Sequence, residues 1–292
     1  MNHEQAAGTS GEMPATCFLL DIFVLLMYFC TNNSQKSLQE KADIKEFLEE
    51  KVAKYNNPEF IETDPIFVPH QFTLKEDIEI AGFLTASLGW GNRKSIIKNS
   101  LRLIALMDSA PYDFILNHKE HDLERMDGFV HRTFNATDAM YFMQALKNIY
   151  QHKGGLEKVF AGAVAEKSVI PAISHFHKVF FSLPHPRRTC KHVSNPGKGS
   201  PAKRINMFLR WMVRCDKQGV DFGLWKHINP SQLSCPLDIH SGNVARKLGL
   251  LTVKHNTLRA LEELDASLRS MDPSDPVKYD YALFGLGVFE RF

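Results

Sequence analysis

Two things are scarce in this sequence of 292 residues: cysteines at ligand spacing, and acidic residues in one long central stretch. The five cysteines, Cys17, Cys30, Cys190, Cys215 and Cys235, are odd in number and include no Cys-x-x-Cys pair. That argues against a disulfide framework and against a four-cysteine zinc or iron–sulfur site. Reduced thiols in turn point to the cytoplasm. Residues Cys17 to Phe29 form an apolar run broken by Asp21, well short of the roughly 20 residues a membrane-crossing helix needs. Met1 to Thr16 has no Lys or Arg with which to open a secretory signal. Residues 1–41 are therefore read as a poorly specified extension, with a hydrophobic anchor as the alternative. Strand-like alternation never persists for a useful length, and no period of roughly 20–50 residues marks a repeat array.

Acidic residues are missing altogether from Lys167 to Cys215, while that stretch carries ten basic ones: Lys167, Lys178, Arg187, Arg188, Lys191, Lys198, Lys203, Arg204, Arg210 and Arg214. The formal net charge is only +2, so the sign imbalance is local. One face should be strongly positive and suited to a polyanion, with DNA or RNA foremost. The plain alternative is a solvated basic helix surface.

What is abundant is helical periodicity. The hydrophobic fraction of 44% is ordinary for a globular protein and supplies a core. Ile44, Phe47, Leu48, Val52 and Tyr55 recur at helical spacing up to Asn56-Asn57-Pro58. Pro58, Pro65 and Pro69 then predict an extended arm over 58–72, laid across the surface. A second helix is predicted from Glu76 to Leu88. It is apolar on most sides and so central, ending at Gly89-Trp90-Gly91. Further helices are predicted over Arg93 to Met107, from an N-cap at Thr137 to Tyr150, and over Ile170 to Phe181. The fold class expected is all-α, with a helical domain over 42–292.

Two helix starts in the C-terminal half carry chemistry. Ser200-Pro201-Ala202-Lys203 reads as a helix N-terminus, with Ser200 capping and Pro201 in the first position. Lys203 then faces the positive end of the helix dipole, with Arg204 beside it, which favours a neutral and nucleophilic amine. Its ordinary alternative is a surface or phosphate-contacting lysine. Just ahead, Ser194-Asn195-Pro196-Gly197-Lys198-Gly199 is a tight turn whose N–H groups could hold a phosphate. Cys235-Pro236-Leu237-Asp238-Ile239-His240 opens another helix. Asp238 is placed there as an N-cap, or as a carboxylate that takes a proton or stabilises a cation. His175, His177, His185 and His192 raise a metal site, but His175 and His177 at i, i+2 on a helix point apart.

Pro236-Leu237-Asp238-Ile239-His240 is similar to the signature around the catalytic aspartate of the helix-hairpin-helix DNA glycosylases. Gly199-Ser200-Pro201-Ala202-Lys203 resembles the segment ending in the catalytic lysine of the bifunctional members. The 35-residue separation of Lys203 and Asp238 looks closer to the archaeal 8-oxoguanine glycosylases, whose closing helix Asp275 to Gly287 also resembles. The turn Asn195-Pro196-Gly197-Lys198-Gly199 departs from the usual Leu-Pro-Gly-Val-Gly. More broadly, residues from about 42 to 292 resemble a bacterial family of hypothetical proteins placed in this superfamily, through Asp77 to Phe83, Gly89 to Lys94 and Lys203 to Met212.

The resemblance implies a two-lobed multi-helix fold with hairpin and active site within about 187–250. It implies a base flipped out of duplex DNA, Lys203 attacking the sugar, Asp238 assisting, and no metal or soluble cofactor. Gly197, Lys198, Gly199, Ser200, Arg204 and His240 would contact DNA. Trp90, Trp211 and Phe284, with Trp225, are candidates to stack on the base, each with a place in the core as its ordinary alternative. Trp90 stands out because Gly89 and Gly91 leave it at a helix end. An oxidised purine such as 8-oxoguanine in double-stranded DNA is the implied substrate. A monomer in the cytoplasm, on the nucleoid and away from membranes, completes the expectation. The rival readings are a DNA-binding module of the same fold without chemistry, and an RNA-binding protein.

Overall fold

The computed structural model describes residues 39 and 41–292; Cys17, Cys30 and the apolar run from Cys17 lie outside the described residues. The chain divides into one unit up to Phe47 and another from Leu48 to Phe292, and the second holds everything discussed below. Among the described residues the structure is predominantly helical, with one two-stranded ribbon. The helices are α1 (41–55), α2 (Glu59–Thr63), α3 (Lys75–Ser87), α4 (Arg93–Ala105), α5 (Pro111–Asn117), α6 (Ala136–His152), α7 (Leu156–Ala161), α8 (Ile170–Phe180), α9 (Lys203–Val213), α10 (Ile239–Lys247), α11 (Leu258–Met271) and α12 (Tyr279–Gly285). No helix among the described residues is long and apolar enough to cross a membrane.

The core is organised on α3. Its residues from Ile78 to Ser87 are buried on every side, as expected for a helix without a polar face. Phe83 meets Phe142, Phe176, Phe180 and Phe208 edge-on or stacked at 5.3–5.7 Å between centroids. Each such side chain contributes roughly 1.5–3 kcal/mol on burial. Helix α9 lies directly against α3. Gly82 makes this possible, because a Cβ there would stand 3.2 Å from the Met212 methyl and 3.4 Å from the Phe208 ring. The helix that will carry Lys203 is thus seated directly on the buried α3.

Three local expectations are corrected. Residues 58–72 are not an extended surface arm. They form α2 and two 3-10 turns, Pro65–Phe67 and Pro69–Gln71, with Phe60, Ile66 and Val68 buried. Proline is tolerated at the first position of a helical turn, so the prolines start turns instead of excluding them. Helix α6 is capped by Asn135, not Thr137. Asn135 Oδ1 accepts from Asp138 N–H, and the Asp138 carboxylate accepts from Asn135 N–H in a capping box. A short antiparallel ribbon, Val130–His131 with Phe134–Asn135, precedes α6. The start of α9 also differs, as described next.

Candidate functional site

Helix α9 begins at Lys203, but Ser200 does not cap it. The N-cap position is Ala202, in the left-handed region at φ 46°. Ser200 Oγ instead accepts from Ala202 N–H at 3.2 Å, and Asn206 Nδ2 donates to Pro201 O at 2.9 Å. Pro201 therefore stays outside the helix and Lys203 takes its first position. The preceding turn is a 3-10 turn, Pro196–Lys198, closed by Gly199 at φ 79°. The N–H groups of Gly197, Lys198 and Gly199 donate to Asn195 Oδ1, Asn195 O and Pro196 O. These N–H groups hold the turn together and leave the exposed Lys198 side chain as its external feature.

The connection from α9 to Asp238 folds back along the helix that it leaves. Phe222 N–H donates to Trp211 O at 2.8 Å and Trp225 N–H to Met212 O at 2.9 Å. Trp225 Nε1 is anchored on Glu79 Oε1 of α3 at 2.7 Å. This return brings Asp238 to the start of α9, with its Oδ2 3.4 Å from Lys203 Nζ. Asp238 is also the N-cap of α10. Its Oδ1 accepts from Ser241 N–H at 2.9 Å, and Ser241 Oγ accepts from Asp238 N–H. One oxygen serves the cap and the other faces the lysine, so the structural and chemical roles coexist in one carboxylate.

The pair opens onto a cleft of about 540 Å³, also lined by Asp64, Trp90, Arg93, Ser200, His240 and Phe284. That volume lies within the range of small-molecule and cofactor sites. Three helix N-termini meet at this cleft, those of α4, α9 and α10, of 13, 11 and 9 residues. Each supplies partial positive charge, and Arg93, Lys203 and Arg204 add full charges along the same walls. An anion is favoured there. The Arg93 guanidinium lies 5.5 Å from the Phe284 ring centroid and 5.1 Å from that of Phe289, and its Nη1 has no hydrogen-bond partner among the described residues.

Behind the pair is a smaller cavity of about 30 Å³, lined by Asp64, Lys203, Arg210, Asp238, Asp280 and Tyr281 among others. It adjoins a buried ion network. Arg210 pairs with Asp221 at 3.3 Å and with Asp280, while Arg214 pairs with Asp221 at 3.1 Å, Asp275 at 2.9 Å and Asp216 at 2.7 Å. Burial pushes the Asp280 carboxyl up to about 6, against the pull of Arg210. The acids that neutralise the basic stretch thus come from outside it. Of the ten basic residues, Lys167, Lys178, Arg187, Arg188, Lys191 and Lys198 are exposed, whereas Arg210 and Arg214 are core. The positive face is correspondingly narrower than the sequence suggests.

The other expected site residues divide clearly. Trp90, 37% exposed, lines the cleft at the end of α3, and Phe284 lines it from α12. Gly91 has φ 106°, a conformation that strains any side chain, and the Arg132 guanidinium lies against it. Trp211 is fully buried in the core and does not line the cleft, because α9 turns that face toward the interior; Trp225 is buried likewise. His240 stands exposed at the rim. Arg204 is half-buried and donates to Ser87 O at 2.5 Å and Lys191 O at 3.1 Å, and burial pulls its guanidinium down to about 10. It braces α9 against α3.

Among the histidines, His192 is buried 3.2 Å from Asp138, and burial pulls it down to about 4. No group of three or more His, Cys, Asp or Glu side chains among the described residues is disposed to hold a metal ion. The residues that the sequence reading missed are Asp64 and Arg93. Arg93 had a signal, since Asn92 caps α4 through Ser95 N–H and leaves the arginine in the first position, as Lys203 is in α9.

Fold and site together define a predominantly helical protein with a cationic cleft built on helix starts. Residues 64–289 match the family described as "Protein of unknown function (DUF2400)", and the chain belongs to that family. No curated protein matches the chain, and no solved structure does.

Proposed function

We propose that the protein is a base-excision glycosylase acting on duplex DNA, with a lysine-based lyase activity and an oxidised purine such as 8-oxoguanine as substrate. The observation that carries this reading is the Lys203 Nζ to Asp238 Oδ2 approach of 3.4 Å at the mouth of a cleft ringed by three helix N-termini. In this reading the chain has the two-lobed fold of the helix-hairpin-helix glycosylases and works as a monomer on the nucleoid. The phosphates flanking a flipped nucleotide meet the helix starts and the Lys198 side chain. The base enters between Trp90 and Phe284.

Asp238 takes one proton from the Lys203 ammonium, and the neutral amine attacks C1′ as the bond to the base breaks. The protonated Asp238 then stays beside the sugar and holds that proton for the opening of the ring. The resulting imine permits β-elimination and strand cleavage. The test is borohydride trapping against a panel of duplexes, each with one damaged base, with Lys203→Gln as control. A covalent adduct that disappears in the variant supports the reading; absence of any adduct across the panel overturns it. The Ser241 cap on Asp238 Oδ1 favours a second reading, in which the lysine and aspartate merely join two helix starts in a DNA-binding protein. That protein binds duplex DNA and never traps.

A further inference from the structure

Among the described residues, three charged side chains line both the open cleft and the small cavity behind it: Lys203, Asp238 and Asp64. Asp64 comes from the proline-rich segment between α2 and the Pro65–Phe67 turn and is 7% exposed. Its Oδ1 accepts from Ile66 N–H at 3.0 Å. Its Oδ2 makes no hydrogen bond and no ion pair among the described residues, so it is the one cleft-lining carboxylate oxygen without a committed partner. Asp238 is divided between the cap and the lysine, and Asp280 is held by Arg210 and by Cys235 Sγ at 3.7 Å.

We infer that Asp64 is the general acid of this site, protonating the base as it leaves the sugar. The inference rests on the lysine–aspartate reading above. Two carboxyl groups in one site take opposite roles when their surroundings differ. Asp238 faces a lysine and two donors of its own cap. Asp64 is enclosed, and the groups facing it are Arg93 from α4, Lys203 and Arg210 from α9, Asp238 from the α10 cap and Asp280 from α12. Burial outweighs the pull of the three cations and raises its carboxyl above the ordinary value, toward the protonated form.

The step balances as follows. The Lys203 nitrogen forms a bond to C1′, the bond from C1′ to the base nitrogen breaks, and its electron pair goes to the base. The Asp64 proton goes to the base, which departs neutral and leaves Asp64 a carboxylate. The secondary ammonium on C1′ then returns a proton to Asp64. The sugar ring opens as its oxygen takes the proton that Asp238 first received from Lys203, and the imine is complete.

Asp64→Asn tests this assignment, because asparagine retains an acceptor for Ile66 N–H and the fold is checked by its melting curve. The substrates are a duplex with one 8-oxoguanine opposite cytosine and the same duplex with a preformed abasic site, which has no base to protonate. The ratio of single-turnover trapping on the damaged duplex to trapping on the abasic duplex is expected to fall by about 10²–10⁴ in the variant. In the wild type, trapping on the damaged duplex falls as pH rises through the Asp64 titration, and the variant lacks that limb. An unchanged ratio in a trapping-competent, folded variant overturns the assignment of Asp64 alone. Wild-type protein that traps neither duplex overturns the lysine chemistry, and this assignment with it.

Discussion

The two ends of α9 carry the same charge and have opposite fates. At its start Lys203 is partly exposed, faces one carboxylate oxygen and lines a cleft. Near its end Arg210 and then Arg214 are buried among Asp216, Asp221, Asp275 and Asp280. A basic residue in sequence is therefore no measure of a basic surface. The difference lies in what the rest of the chain delivers to each end: a cleft wall at one, a set of carboxylates at the other.

The sharpest way to break this comparison is at the buried end. Arg210→Ala leaves Asp280 without its ion-pair partner and Asp221 with Arg214 alone, and removing one member of a buried pair costs about 3–5 kcal/mol. Denaturant unfolding should show that loss as a lower midpoint at unchanged slope. The next effect is pH dependence. The Asp280 carboxyl is raised in the folded state to about 6, so the folded form holds its proton more tightly than the unfolded one. Its contribution is present below about pH 4 and lost as pH rises to about 6, on the order of 2–3 kcal/mol at most. Stability measured across that window should fall less in Asp280→Asn than in the wild type.

At the open end the effects on folding are small. Lys203→Gln removes a partly exposed ion pair and should change stability by less than about 1 kcal/mol, while the borohydride adduct is lost completely. A large loss of stability in this variant would erase the distinction between the two ends. The smallest effect is expected at Lys198. Lys198→Ala should weaken duplex binding modestly and lower the slope of log affinity against log salt by about 0.9, the value for one phosphate contact. A titration at several salt concentrations measures it.

Much of this was legible in the sequence where the signal is local. The bounds of α3, α4 and α8 follow from their apolar period, and Lys203 and Asp238 were placed at helix starts from neighbouring residues alone. The sequence places the start of α9 two residues too early because an alanine in the left-handed conformation has no signature; Ser200 and Pro201 are just as compatible with a turn outside the helix. Asp64 was missed because isolated apolar residues between prolines show no period, and only the core reveals that Ile66 and Val68 are anchors. Trp211 was misplaced because periodicity says which residues share a face and not what that face meets. The neutralisation of Arg210 and Arg214 was invisible for the same reason, since Asp275 and Asp280 lie far along the chain.

The long return from α9 to Asp238 bears on how the protein reaches its working form. The cleft is walled by residues as distant in the chain as Asp64, Lys203, Asp238 and Phe284, while helices such as α6 and α8 need only near neighbours to begin. Contacts between distant segments are entropically slow to form. Closing the cleft therefore depends on long-range contacts. The lysine and its carboxylate partner are brought together only when those contacts form, so the proposed chemistry is tied to completion of the fold.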